Sequence, residues 1–276
     1  MEQKKEMDYN SYIEIADGIY WVGFADENAG LHCNPYLIVD GNEAVLIDGG
    51  SRGDFSTVML KIMRTGTNPK QIQRLIYQHY DPDLCGNIPH LEAIIDNPNL
   101  RILSHAENNI FINYYSTKLP KDDVQSLGLF YEFGNGRRLE FCRTPYAHST
   151  GSFVTYDTKT KTLFSSDIFG SYDSQWDLFS SIQDDCLHCT PGEICPQTGR
   201  LCEITGIYDF TRRIMTSTKA LNHALDQMER WEINMIAPQH GSILHTAKAR
   251  DVVIQKLREL TDVGIDRFLK ENPDIW

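Results

Sequence analysis

The stretch "YQHYDPDLCGN", residues 77–87, places His79, Asp81 and Asp83 on alternate positions and follows them with Leu84, Cys85 and Gly86. Just upstream, "RLIYQ" (74–78) reads as a strand. Three ligand-capable side chains at the exit of a strand describe a metal-binding loop on a rigid support. Leu84 is the anomaly, because an apolar residue stands where such a loop could offer one more ligand.

The same grammar recurs along the chain. "EFCRTPYA" leads into His148 and the small residues "STGS", "TLFSS" into Asp167, and "INMIAPQ" into His240 and "GS". One His beyond a strand is usually structural. Four junctions that together carry His79, Asp81, Asp83, His148, Asp167 and His240 are hard to explain by packing. Between the junctions, short β-rich runs alternate with amphipathic stretches. Strands are expected at 19–24, 36–40, 44–50, 101–104, 137–146, 152–157, 161–167 and 233–239, and helices at 54–66, 86–95 and 107–115. One long helix is expected over 208–231, with one or two more between 247 and 270. Two α/β halves of similar texture, with no Pro- or Ser-rich linker, favour a single layered domain over residues 1–276.

Bulk properties narrow the class. The chain has 276 residues, 41% of them hydrophobic and 23% charged, which suits a soluble globular protein with a sizeable core. No apolar run approaches the ~18 residues of a membrane span, and "MEQKKEMDYN" has no secretory h-region, so a cytoplasmic protein without a membrane is expected. A net charge of −12 repels nucleic acid backbones and excludes nonspecific DNA or RNA binding.

The ordered set H-x-D-x-D at 79–83, His148, Asp167 and "PQHG" at 238–241 resembles the metallo-β-lactamase fold, an α/β four-layer αβ/βα sandwich. Within that fold it is most similar to the catalytic module of flavodiiron proteins. Hydrolases of the fold carry H-x-H-x-D-H, with His where this chain has Asp81. A carboxylate there resembles the flavodiiron H-x-E-x-D-H loop, shortened by one methylene. "NPYLIVD" and "AVLIDGG" are similar to that family's opening strands, and the likeness extends over about residues 17–262. It implies one metal held by His79, Asp81 and His148, a second held by Asp83 and His240, and Asp167 bridging both. Oxygen-rich ligation of this kind suits iron, so a diiron centre is expected. It also implies a homodimer.

Departures from the family pattern matter as much. The His that normally follows the second acid is Leu84 here, which implies an open coordination position for O2, NO or water. His90 is either a replacement ligand or an outward-facing helix residue. His32, Tyr80 and Tyr146 are candidates for hydrogen bonding around the ligands. The flavodoxin-like domain that carries FMN in flavodiiron proteins has no counterpart before Trp276, so no FMN is expected in this chain. An external electron donor protein is expected instead.

A Cys-rich insertion occupies about residues 184–204. "CLHCTPGEICPQTGRLC" sets Cys186, Cys189, Cys195 and Cys202 in a C-x2-C-x5-C-x6-C array. Four thiols so close can enclose a [4Fe–4S] cluster or one Zn ion. The Cys195-Pro196 step resembles bacterial ferredoxins and favours the cluster. Free thiols or two disulfides are the plain alternative. The expected function is binding and reduction of O2 or NO, as an oxidoreductase fed by the donor or the cluster. The alternatives are a diiron O2 sensor that signals to a partner without turnover, and a dizinc hydrolase of the lactonase or thioesterase type.

Overall fold

A computed structural model describes residues 7–24, 31–173 and 176–273. Among the described residues the strands form two sheets. The first runs in the order β1 (Ile13–Ala16), β2 (Ile19–Trp21), β3 (Tyr36–Asp40), β4 (Glu43–Ile47), β5 (Ile72–Ile76), β6 (Arg101–Ser104) and β7 (Lys121–Asp123). Its first four strands pair antiparallel, and β4 through β7 pair parallel. Helices α1 (Phe55–Arg64), α2 (Pro82–Cys85), α3 (Ile88–Ile95) and α4 (Ala106–Ile112) connect its parallel part. The second sheet contains β8 (Phe130–Glu132), β9 (Arg138–Arg143), β10 (Phe153–Asp157), β11 (Thr162–Phe164) and β12 (Met235–Ala237), in the order β12-β11-β10-β9-β8. Helices α5 (Glu203–Ile214), α6 (Thr218–Met228), α7 (Ala247–Arg258) and α8 (Ile265–Glu271) accompany it. No described helix is long and apolar enough to cross a membrane.

Strand alternation builds three apolar layers between four structural ones. In β4, Val45 and Ile47 face the second sheet, while Ala44 and Leu46 face α1–α3. In β10, Phe153 joins the core between the sheets and Val154 joins the core under α5–α7. Leu163 and Phe164 divide in the same way, as do Ile236 and Ala237. Strands buried on both faces read as near-continuous apolar runs, as β4 does, whereas β5 carries half-buried Gln73 and Arg74 in its middle. The arrangement is the expected α/β sandwich.

Several boundaries differ from the sequence-based expectations. The long helix over 208–231 is two helices, α5 and α6, separated at Met215–Ser217. Ser217 is a helix cap whose hydroxyl accepts the Ala220 N–H at 3.1 Å, and buried Met215 anchors the preceding turn. The strand over 233–239 shrinks to Met235–Ala237, and the segment 86–95 begins its main helix at Ile88 behind the one-turn α2. Strands β1, β7 and β8 were not expected.

A buried ion pair in the second sheet holds an arginine that also bonds to the first. Arg137 Nε and Nη2 donate to the two Asp157 carboxylate oxygens at 2.8 Å each, with side chains 1% and 0% exposed. Arg137 Nη1 also donates to the Val39 carbonyl of β3 at 3.3 Å. Removing one partner strands a buried charge. Arg137→Met is therefore expected to lower unfolding stability by about 3–5 kcal/mol in chemical denaturation. An unchanged denaturation midpoint would show that the pair contributes nothing.

Candidate metal centre

Each strand-exit residue singled out in the sequence lies at one edge of the sandwich. His79 leaves β5, Asp81 caps α2, and Asp83 lies within α2. His148 lies between β9 and β10, Asp167 follows β11, and His240 follows β12. The six side chains converge on the Asp167 carboxylate. Its Oδ2 lies 3.1 Å from His148 Nε2 and 3.7 Å from His79 Nε2, and its Oδ1 lies 3.7 Å from His240 Nε2. Asp81 Oδ2 completes the first set, 3.4 Å from His148 Nε2 and 4.0 Å from His79 Nε2. Asp83 Oδ2 completes the second, 3.1 Å from His240 Nε2. One carboxylate thus turns one oxygen toward each set.

The outer ring nitrogens are held from behind. His79 Nδ1 meets Ser166 Oγ at 2.9 Å, and His240 Nδ1 meets the His32 carbonyl at 3.0 Å. Such bonds fix ring orientation and present Nε2 inward. Gln239 Nε2 donates to Asp83 Oδ2 at 3.3 Å. Backbone strain gathers here too: Asp48 and Ser166 take φ of 56° and 55°, a region that non-glycine residues rarely occupy. Gly241 has φ +82°, and a Cβ there would collide with Ser171, so the turn after His240 needs glycine.

The donor set suits a cation. His148 Nε2 and Asp167 Oδ1 are buried without a hydrogen-bond partner, although acceptors and rings surround them. Two groups of ligand atoms lie within 4.8 Å of one another, His79–Asp81–His148 and Cys33–Asp83–His240. Solvent reaches the cluster past Asp81, Asp83 and His148, whose side chains are 36%, 28% and 20% exposed, while those of His79, Asp167 and His240 are at most 4% exposed.

Electrostatics follow from this crowding. Burial opposes the Asp83 charge, yet the His240 hydrogen bond and charge hold its carboxyl down at about 2. Burial also opposes a charged His240, but Asp83, Cys33 and Asp167 raise its pKa well above the ordinary value. His148 is raised against burial by Asp81 and Asp167, whereas burial dominates at His79 and lowers it. A cation must displace the protons that His148 and His240 retain, so its affinity should rise with pH and binding should release protons. Calorimetry in buffers of different ionisation heat checks this, and a pH-independent affinity between about pH 6 and 8 would contradict it.

The remaining sequence candidates are distributed differently. Leu84 borders no opening: it is fully buried in the apolar layer between the first sheet and α1–α3, where a branched aliphatic chain packs well. His90 belongs to neither ligand group and sits 5.1 Å from the Phe55 ring, a contact between α3 and α1. His32 stacks on Trp176 at 4.5 Å and supports His240 through its carbonyl. The Tyr80 ring stacks on Phe111 at 4.4 Å, and its carbonyl accepts the Tyr115 hydroxyl at 2.7 Å. Tyr146 is half exposed, and its carbonyl accepts the Thr216 hydroxyl. Two groups escaped the sequence reading. Cys33 looked isolated, and Asp48, in "IDGG", is a buried carboxyl whose desolvation raises its pKa strongly. Asp48 carries the same strand-exit signal as the ligands.

Cys186, Cys189, Cys195 and Cys202 are free thiols, and none of them belongs to the two groups of described residues whose ligand atoms lie within 4.8 Å of one another. Cys186, Leu187 and Cys189 pack against the core under α5–α7, and Lys256 Nζ reaches the Cys189 carbonyl at 3.4 Å. The Thr198 side chain, with the Thr198 and Gln197 N–H groups, holds the Cys195 thiol below its ordinary pKa. Arg200 pairs with Asp177 at 3.0 Å, and the Asp177 carbonyl accepts the Ser242 hydroxyl two residues beyond His240. The insertion therefore stands beside the His240 loop.

Comparison with known proteins places this architecture. A model described as "ODP family beta lactamase" matches residues 31–241. The chain belongs to the ODP family of beta lactamases. A structure of the chemotaxis sensor ODP in a peroxy diiron species superposes with a TM-score of 0.71 at 24% identity, covering 92% of this chain and 94% of that one. Rubredoxin:oxygen oxidoreductase from Desulfovibrio gigas superposes with a TM-score of 0.74 at 21% identity, covering 90% and 61%. An uncharacterized protein of Methanocaldococcus jannaschii is 26% identical over 84% of this chain and 56% of its own length. The anaerobic nitric oxide reductase flavorubredoxin of Enterobacter sp. is 28% identical over 62% of the chain and 38% of its own length. This ODP-family chain thus spans about half or less of the curated relatives it matches.

Proposed function

We propose that this chain is a diiron protein that binds O2 or NO and reduces it with electrons from an external donor. The observation that carries the reading is the Asp167 carboxylate, one oxygen facing His79 and His148 and the other facing His240. In this reading His79, Asp81 and His148 hold one iron, Asp83 and His240 hold the second, and Asp167 bridges them. Ferrous ions held there would supply two electrons to a diatomic ligand. Ser166 and the His32 carbonyl orient the His79 and His240 rings with Nε2 turned inward. The exposed edge at Asp81, Asp83 and His148 admits a small ligand, while the buried side excludes bulk water. A carboxylate at position 81 gives the position held by His79 and His148 a harder, oxygen-rich donor set and favours iron over hydrolytic zinc.

Support for the chemistry comes from the family and from relatives named as oxygen and nitric oxide reductases. A second reading, an O2 sensor, is favoured by the superposition over most of both chains with the chemotaxis sensor ODP. Anaerobically purified protein is expected to hold two irons per chain at this centre and to consume O2 or NO in the presence of a reductant. A stable oxygenated spectrum without consumption selects the sensor. Stoichiometric zinc at the centre, with no iron by Mössbauer spectroscopy, overturns both.

The chain is read as one layered domain carrying the insertion at 184–204, and the protein as a homodimer. Cys186, Cys189, Cys195 and Cys202 would enclose a [4Fe–4S] cluster, with Zn as the alternative, beside the loop of His240. What supports this is their spacing in the sequence, since the described groups with ligand atoms within 4.8 Å of one another do not include them. Acid-labile sulfide is expected on analysis. Zinc without sulfide identifies a structural staple, and neither metal nor sulfide rejects the site.

A further inference from the structure

The two ligand sets are unequal. His79, Asp81 and His148 serve one metal position besides the shared Asp167, but Asp83 and His240 alone serve the other. Leu84 cannot make up the difference, having no donor atom and lying fully in the apolar layer. A thiol comes from the opposite side. Cys33 Sγ lies 3.9 Å from Asp83 Oδ2 and 3.9 Å from His240 Nδ1, the outer nitrogen of that ring, and Cys33, Asp83 and His240 each offer a ligand atom within 4.8 Å of the others.

The placement is built into the main chain. Cys33 and His240 form an antiparallel bridge, and the Asn34 N–H donates to the Gln239 carbonyl at 2.8 Å. Asn34 Nδ2 donates to the Pro238 carbonyl at 3.1 Å and to the Gly241 carbonyl at 2.9 Å. Its Oδ1 accepts from Trp21 Nε1 at 2.9 Å, which fixes the amide. Cys33 therefore cannot slide along the His240 loop. The residue is 8% exposed, which shields the sulfur from solvent oxidants. Nearby, Asp167 Oδ1 is buried and without a hydrogen-bond partner, the mark of an atom awaiting a cation.

We propose that Cys33 ligates, as a thiolate, the metal held by Asp83 and His240, supplying the donor that Leu84 cannot. This rests on the dinuclear reading of the centre. On binding, a metal–sulfur bond forms, the S–H bond breaks and its proton passes to solvent. The two metals would then be chemically distinct, one among imidazoles and carboxylates and the other bearing a soft, electron-rich sulfur.

Cobalt(II) exchanged for iron in the full chain tests the proposal, because thiolate ligation gives an intense near-ultraviolet charge-transfer absorption. The difference spectrum between wild type and Cys33→Ser is the readout, since any contribution from the four insertion cysteines cancels. A lost charge-transfer band in Cys33→Ser supports the proposal. Cys33→Asp, which keeps a charged donor, should likewise lack the band yet retain the wild-type cobalt content, and it serves if Cys33→Ser fails to fold. A difference spectrum without a thiolate band, in whichever variant folds, overturns the proposal. Failure of the underlying reading appears separately, as no loss of bound cobalt in His240→Ala.

Discussion

One carboxylate governs the arrangement. Asp167 sits 3% exposed among three imidazole rings, with its two oxygens facing opposite ways. Burying a carboxylate is unfavourable unless positive charge or hydrogen bonds surround it. Here two of the neighbouring rings, His79 and His240, have their outer nitrogens already committed to Ser166 and the His32 carbonyl. The strained turns at Asp48 and Ser166 and the glycine at position 241 all serve to bring strand ends within reach of that one group.

The layers explain how such crowding is tolerated. Three apolar cores hold the two sheets and their helices, and Arg137, paired with Asp157, bonds across to the Val39 carbonyl. The scaffold is rigid apart from the site, so loops at the strand ends can carry uncompensated polar atoms without unravelling the sandwich.

Much of this was legible in the sequence where side-chain chemistry meets a strand exit. The runs before His79, Asp167 and His240 are apolar because both faces of those strands are covered, and the ligand follows as soon as the strand leaves the core. The convergence of six residues could be read from that repetition. Strands β1, β7 and β8 could not, because "IEIA", "KDD" and "FYE" have no strong period and depend on neighbours for pairing. The break between α5 and α6 hinged on the Ser217 cap inside an otherwise continuous amphipathic pattern. Cys33 was invisible for a different reason. Its meaning arises from a main-chain bridge to His240, far away in sequence, and no local pattern encodes that contact. Leu84 itself belongs to the apolar layer, so its side chain packs as core and faces no ligand atom.

The division of the six residues between the sheets has a mechanical consequence. His79, Asp81 and Asp83 leave the first sheet, while His148, Asp167 and His240 belong to the second. On the proposed assignment a cation lies across the seam and acts as a rivet between two halves that are also joined by apolar contact, by hydrogen bonds such as Asn34 to Pro238, and by Lys159 with Asp17 and Asp40. Part of its binding free energy then becomes cohesion between the halves. Loading state and tightness of the sandwich are thereby one variable: whatever loosens the rivet is felt along the whole seam, out to the turns that face solvent.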